Sequence, residues 1–327
     1  MRRCFIHIGT HKTGTTSIQH LLDRTSSSLL QRGYFYPQVG RPEGFSGQHN
    51  LAWEISGDYR FQNDYGTIDD LIREVKDRSG DVILSSEDFE CVLYNRSKFS
   101  DFLSLLQSSG FLVTVILYVR NQIEYLPRIY LTLLHCGLDL AFSEALHSAL
   151  DCGQFRWREW VAVFDYHDVL NKLGKIQNLN VIVRSYEQSR RSICNDFLST
   201  FNLSLRDLNV DEEPFENLSL PLKDYLRIFL QNRIGRTLFE NEEGALNRMV
   251  SPGVKDIRLS PIVRETLLKR FLDSNRRLFL QYDIPEPRLE KTSGASDSVD
   301  APYVDELFLE SIEATVLETT RSCPHSG

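Results

Sequence analysis

Residues Cys4–Leu22 read CFIHIGTHKTGTTSIQHLL, and this segment constrains the fold more than any other part of the chain. An apolar run of strand length passes through a turn rich in Gly and Thr into the start of an amphipathic helix. In that order, the backbone N–H groups of the turn and the positive end of the helix dipole converge on one point. The segment therefore predicts a strand–loop–helix unit that binds a phosphate-sized anion.

The position of the lysine indicates which phosphate chemistry to expect. Gly9 and Gly14 have the G-x-x-x-x-G spacing of a P-loop, but Thr15 stands where a nucleoside triphosphatase carries its lysine. The lysine of this loop is Lys12, on the other side of Gly14. A cation there lies beside the mouth of the loop, where a terminal transferring group would sit. Hydrolysis of a nucleoside triphosphate is therefore not the first expectation.

The segment HKTGTTSIQ resembles the 5′-phosphosulfate-binding loop, K-[ST]-G-[ST]-[ST], of the soluble bacterial type of sulfotransferase. Those enzymes use 3′-phosphoadenosine 5′-phosphosulfate (PAPS) and release 3′-phosphoadenosine 5′-phosphate (PAP). The resemblance implies in-line transfer of a sulfo group to a hydroxyl or amine of a carbohydrate or small-molecule acceptor. It also implies that Lys12 is catalytic and stabilises the leaving phosphate. The cofactor-binding residues that it implies in this loop are Thr13, Gly14, Thr15, Thr16 and Ser17.

A second phosphate contact is predicted where the apolar run Leu112–Val119 ends in Arg120. Ligands of a doubly wound sheet gather at the carboxyl ends of its strands, and arginine pairs with phosphate through two hydrogen bonds. The segment also resembles the family's 3′-phosphate motif, R-x-Q-x-x-Y-L-x-S-x-Y. It departs at Arg128, which replaces the serine and either binds phosphate or turns to solvent. For Arg120 the alternative is a surface ion pair.

A third element follows the run Leu179–Val183, which leads into Arg184, Ser185, Tyr186 and Glu187. It resembles the family's strand followed by Tyr-Glu, in which the tyrosine packs near the adenine. The resemblance therefore implies that Tyr186 contacts the nucleotide. The alternative is that Tyr186 is an ordinary core aromatic.

The acceptor must lose a proton, so the proposed chemistry needs a general base near it. Glu87 lies just past the run Val82–Leu84, where related enzymes carry a base. His49 lies in the connection Gly33–Tyr65, whose length favours a functional segment. The alternative for Glu87 is a carboxylate at a helix N-terminus, and for His49 a structural hydrogen bond. The sequence does not choose between the two.

Composition limits the partners and the compartment. The net charge of −8 argues against nucleic acid as the main partner, and no apolar run approaches the length of a membrane span. Scattered cysteines and a strand that starts close to residue 1 predict a soluble cytoplasmic protein with reduced thiols. No metal site is predicted, because the cysteines lack zinc spacing and the donor lacks the phosphates that Mg²⁺ bridges. The oligomeric state is not predicted.

The wider pattern predicts an α/β doubly wound parallel sheet with a helical C-terminal half. Near-continuous apolar runs alternate with segments of helical period, as expected of strands buried on both faces. We predict a sulfotransferase domain over residues 1–288. Residues 289–327 are predicted to form a flexible linker and an acidic tail, in which Tyr303–Thr320 either docks as a helix or stays loose.

Two other functions remain open at this point. A P-loop kinase or NTPase with a displaced lysine would bind ATP with Mg²⁺, although Thr15 argues against it. A catalytically silent sulfotransferase-like binding module would suit the Arg128 substitution, although the presence of both Lys12 and Glu87 favours chemistry.

Overall fold

The structure, a computed structural model, describes residues 2–93, 96–211, 221–250, 257–285, 312–316 and 318. It is an α/β protein that divides into two compact units. The first unit contains the described residues within Met1–Arg120, Arg158–Glu216 and Asp273–Pro287. The second contains those within Asn121–Trp157, Asn217–Leu272 and Arg288–Gly327.

The strands are β1 (Arg2–His7), β2 (Tyr34–Phe35), β3 (Asp81–Ser85), β4 (Phe111–Val119), β5 (Gln154–Trp157), β6 (Trp160–Val163) and β7 (Leu179–Ser185). The helices are α1 (Thr15–Arg24), α2 (Ser26–Gln31), α3 (His49–Ser56), α4 (Ile68–Lys76), α5 (Phe89–Val92), α6 (Arg96–Ser108), α7 (Gln122–His135), α8 (Phe142–Cys152), α9 (Tyr166–Leu173), α10 (Tyr186–Ser189), α11 (Ile193–Ser199), α12 (Leu222–Ile234), α13 (Glu240–Met249) and α14 (Pro261–Gln281). Within the described ranges, no helix is both long enough and apolar enough to cross a membrane.

The first unit is built on a five-stranded sheet in the order β2-β3-β1-β4-β7. Every adjacent pair is parallel, and β1 lies at the centre. The four strands predicted from the apolar runs are therefore confirmed, and so is the parallel α/β class. The strand β2 was not predicted, because two residues are too few to give a period.

Apolar side chains cover both faces of this sheet. Along β1, Cys4 and Ile6 belong to one core cluster and Phe5 to another. The first cluster also takes residues from α4, α6 and α9, and the second takes residues from α1 and α11. Because successive side chains of a strand point to opposite faces, both faces must be apolar, which explains the continuous apolar runs.

The second unit is mainly helical. Its core includes the edge-to-face pair Tyr130 and Phe142, with ring centroids 5.1 Å apart. It contains the helices α7, α8, α12 and α13. Residues 312–316 are also helical and bury Ile312 and Val316. The predicted boundary at residue 288 and the predicted linker lie outside the described residues.

Candidate functional site

The loop between β1 and α1 turns through three residues with positive φ. These are Gly9 (47°), Lys12 (65°) and Gly14 (78°). Gly14 precedes the first residue of α1 and has no side chain with which to cap it. The first amide that bonds within the helix is that of Ile18, which donates to the Gly14 carbonyl at 3.2 Å. The amides before Ile18 therefore precede the helix hydrogen-bond ladder, which is the arrangement that accepts an anion.

Contacts with the end of β4 hold this loop in shape. The Thr13 hydroxyl donates to the Thr10 carbonyl at 2.5 Å, and the Thr10 hydroxyl donates to the Tyr118 carbonyl at 3.1 Å. The guanidinium of Arg120 donates to the Lys12 carbonyl. This hydrogen bond to the Lys12 carbonyl holds the left-handed backbone of Lys12 in place, while the Lys12 side chain is exposed.

Arg120 also connects the loop to the end of β7. It is only 6% exposed, and its guanidinium carbon lies 4.7 Å from the centroid of the Tyr186 ring. A surface ion pair, the alternative considered for Arg120, is ruled out by this burial. The structure thus brings three predicted residues, Lys12, Arg120 and Tyr186, to neighbouring strand ends.

Glu90 is a further support of the loop that the sequence did not indicate. Its side chain is fully buried, and one carboxylate oxygen accepts the His11 amide at 2.9 Å. The other oxygen accepts the Val163 amide of β6 at 2.8 Å. Because both partners are backbone groups distant in sequence, no local pattern could have shown this role.

The two candidate bases meet beyond the end of β3. His49 Nδ1 lies 3.0 Å from Asp88 Oδ2 and 2.9 Å from Ser86 Oγ. The Trp53 indole donates to the same Asp88 oxygen at 2.8 Å. His49 Nε2 lies 4.0 Å from Glu87 Oε2. His49 and Glu87 therefore form one cluster rather than two separate sites, and Asp88 orients the imidazole.

The segment before α3 explains how His49 reaches this position. The Gln48 amide donates to the Ser85 carbonyl at 2.9 Å, and the Ser85 amide donates to the Gln48 side-chain oxygen at 2.8 Å. Gly47 allows the close approach, since a Cβ there would lie 2.8 Å from the Ser85 carbonyl oxygen. The connection Gly33–Tyr65 is therefore fixed against β3 where α3 begins.

Burial and charge act against each other in this cluster. Burial disfavours the imidazolium, but Glu87 and Asp88 outweigh it and raise the pKa of His49. Burial also disfavours the carboxylates, but the neighbouring His49 holds the pKa of Asp88 well below its usual range. His49 and His11 lower the pKa of Glu87 in the same way. At neutral pH the cluster therefore holds two carboxylates around a readily protonated imidazole.

Glu87 is the more accessible of the two candidate bases. Its side chain is 19% exposed, whereas that of His49 is 5% exposed. The side-chain amide of Gln19, in α1, donates to Glu87 Oε2 at 2.6 Å. This bond fixes the Glu87 carboxylate beside the helix that follows the loop after β1. Glu87 is therefore easier to reach from solvent than His49.

No family model matches the chain, and no curated protein matches it significantly. The case for a function therefore depends on the geometry of the first unit. The sequence had indicated the residues of the loop and the two candidate bases, whose catalytic roles stay predictions. It had missed the supporting roles of Asp88, Trp53 and Glu90, which depend on long-range contacts.

The remaining predicted residues divide between the two units. Thr15 and Ser17 are buried in the first turn of α1, and Thr16 is half-buried beside them. Arg128 is half-buried in α7, which belongs to the second unit.

Proposed function

We propose that the chain is a PAPS-dependent sulfotransferase that acts on a carbohydrate or small-molecule hydroxyl or amine. The observation that carries the proposal is the loop after β1, with exposed Lys12 beside an uncapped helix start and with Arg120 beneath it. The central β1 and the helices on both faces of the sheet support a doubly wound, P-loop-like fold.

The donor side of the proposal uses groups of fixed charge. The first amides of α1 and the hydroxyls of Thr15, Thr16 and Ser17 would hold the 5′-phosphate. Arg120 would hold the 3′-phosphate, and Tyr186 would pack against the adenine. Gly14 fits such a cradle, because a Cβ there would lie only 3.2 Å from Ile193 and require a strained backbone. When bound, PAPS supplies the sulfo group and a phosphate leaving group.

Lys12 would neutralise the charge that develops on the leaving oxygen. Its ammonium needs no change of protonation during transfer, so it stabilises that charge without reorganisation. Its backbone is held by Arg120 while its side chain is exposed, which suits a cation at the mouth of the loop.

The acceptor side would use Glu87 as the base. Glu87 is ionised and more exposed than His49, so it can take the proton from an acceptor hydroxyl or amine. His49, oriented by Asp88, would keep Glu87 ionised and would share the proton that Glu87 takes from the acceptor. The donor loop and the base would then lie on either side of the transferring group.

The alternatives receive less support. A kinase would need a lysine where Thr15 stands, under the β- and γ-phosphates. A silent binding module would have no need of the buried His49–Asp88 pair beside Glu87, because buried charges are costly to stability and concentrate at functional sites.

The cytoplasmic location is part of this proposal. Among the described residues, Cys4, Cys91, Cys136, Cys152 and Cys194 are thiols outside any disulfide. Reduced thiols, some of them exposed, suit a reducing compartment. Oxidative pairing between them in a purified sample would count against this location.

Isothermal titration tests the proposal. PAP titrated into the full chain in EDTA is expected to bind in the micromolar range, and ATP with Mg²⁺ to bind much more weakly. The reverse preference would support the kinase and contradict the proposal. A screen of acceptor pools with sulfur-35-labelled PAPS then separates an enzyme from a silent module, which would bind PAP without transfer.

A further inference from the structure

Three buried side chains with metal-binding donor atoms lie close together just beyond the carboxyl end of β3. Asp88 immediately precedes α5, and Cys91 follows three residues later, so both lie on one side of this short helix. His11 approaches from the loop after β1. One donor atom from each residue lies within 4.8 Å of the other two, and all three residues are at least nine-tenths buried.

His11 supplies a second and independent observation. Its Nε2 is buried and has no hydrogen-bond partner among the described residues. The His11 ring is packed against Trp160, with centroids 4.7 Å apart, and its amide is held by Glu90. A buried polar atom without a partner is costly, so the His11 ring, which is fixed in place, has a nitrogen suited to a ligand.

We propose that His11, Asp88 and Cys91 bind a thiophilic divalent cation, with Zn²⁺ as the best match. An imidazole nitrogen, a carboxylate oxygen and a thiolate are all ligands that Zn²⁺ takes in proteins. The thiolate and the carboxylate together balance the charge of the ion. Three protein ligands leave a fourth position for water, as at an open zinc site.

The contacts of Asp88 leave one oxygen for the cation. Oδ2 accepts the Trp53 indole and lies beside His49 Nδ1, whereas Oδ1 has Arg60 at 3.8 Å. The Arg60 guanidinium is paired at 2.6 Å with Asp58, which offsets its repulsion of a cation. The His49 contact can therefore persist while Oδ1 coordinates.

Binding is a ligand exchange without oxidation or reduction. A bond forms between Cys91 Sγ and the ion, and the thiol proton passes to solvent or buffer. The carboxylate and imidazole contribute lone pairs, so binding releases one proton. This site does not depend on sulfo transfer, and its occupancy is measured without any turnover.

Zinc and cobalt titrations of the full chain test the site. After EDTA treatment and desalting, we expect one tightly bound Zn²⁺ per chain, and with Co²⁺ a thiolate-to-cobalt charge-transfer band. Cys91→Ser should abolish the band and weaken Zn²⁺ binding by about 100-fold or more, since it removes a direct ligand. His11→Gln should also weaken binding strongly.

Matched control variants test whether metal binding is specific to this site rather than to any cysteine of the chain. Cys194→Ser removes another buried cysteine of the first unit, and Cys136→Ser with Cys152→Ser removes exposed ones. These variants should bind as the wild type does. His7→Gln removes another buried imidazole with an unpartnered Nε2 and should also leave binding intact.

Wild-type affinity in Cys91→Ser, or the absence of a thiolate band in the wild type, would overturn the proposal. Circular dichroism of each variant establishes that it is folded. If Cys91→Ser does not fold, the His11→Gln and His7→Gln pair decides the question by the same titration.

Discussion

The loops that follow β1 and β3 lie side by side, because His7 and Ser85 are paired in register at the ends of these strands. The loop after β1 presents an exposed ammonium, Lys12, and backbone amides. The loop after β3 presents Glu87 and Asp88 close to a buried imidazole. The first contains groups of fixed charge that suit anion binding, and the second contains groups whose charges depend on one another. Under the proposed function, the first loop would stabilise the leaving group and the second would take the proton from the acceptor.

The largest effect is expected for Lys12→Ala. It should reduce transfer by about 10³-fold, because one preorganised charge at the leaving oxygen is removed. PAP affinity should be largely retained, since the amide cradle remains. Steady-state transfer rates and PAP titrations measure the two effects. Lys76→Ala, at the exposed end of α4, is the control. Unchanged transfer in Lys12→Ala would refute the role of this residue.

Glu87→Gln should reduce kcat by about 10²-fold, since it removes the base while keeping the shape of the side chain. PAP affinity should not change, because the loss is on the acceptor side. His49→Gln should cause a smaller loss of kcat, since His49 acts through Glu87. Parallel kcat measurements compare the two variants. A larger loss in His49→Gln would assign the base to His49 instead.

Arg120→Ala should weaken PAP binding by about 10-fold to 100-fold, as expected for a charge-assisted contact. Transfer at saturating donor should change less than affinity does. Arg184→Ala removes an arginine near the end of β7 that pairs with Asp196 at 3.4 Å. It should leave PAP affinity intact, and equal losses in both variants would indicate general destabilisation.

The two loops also differ in how far the sequence predicts them. The loop after β1 is contiguous with its strand and helix, so its glycines, lysine and helix start could be predicted together. The cluster after β3 depends on Gln48 contacting Ser85, two residues far apart in the chain. From the sequence, Glu87 and His49 were therefore alternative candidates for the general base, although they lie in one cluster. The role of Glu90 has no local signature.

A smaller effect concerns stability and His7, which lies at the end of β1 between the two loops. Burial lowers the pKa of His7 to about 4 from an ordinary value of 6.5. The unfolded state therefore binds the proton first as the pH falls below 6.5, and stability is lost until about pH 4. Over this range the contribution of His7 to the free energy of unfolding falls by about 3 kcal/mol.

Urea unfolding of the wild type and His7→Gln between pH 7 and about pH 4 measures this contribution. The variant should be less stable at pH 7 but should lose less stability on acidification. Because His49 has the opposite shift, only the difference between the two proteins is informative. Identical pH profiles would show that His7 is not held neutral by burial.

Hydrogen exchange of the amides from Thr13 to Ser17 reports directly on anion binding by the loop after β1. The proposed function predicts that saturating PAP in EDTA slows exchange at these amides, with little change in α4. ATP with Mg²⁺ should have a much smaller effect. Unchanged exchange at residues 13–17 in saturating PAP, or protection by ATP with Mg²⁺ alone, would contradict it.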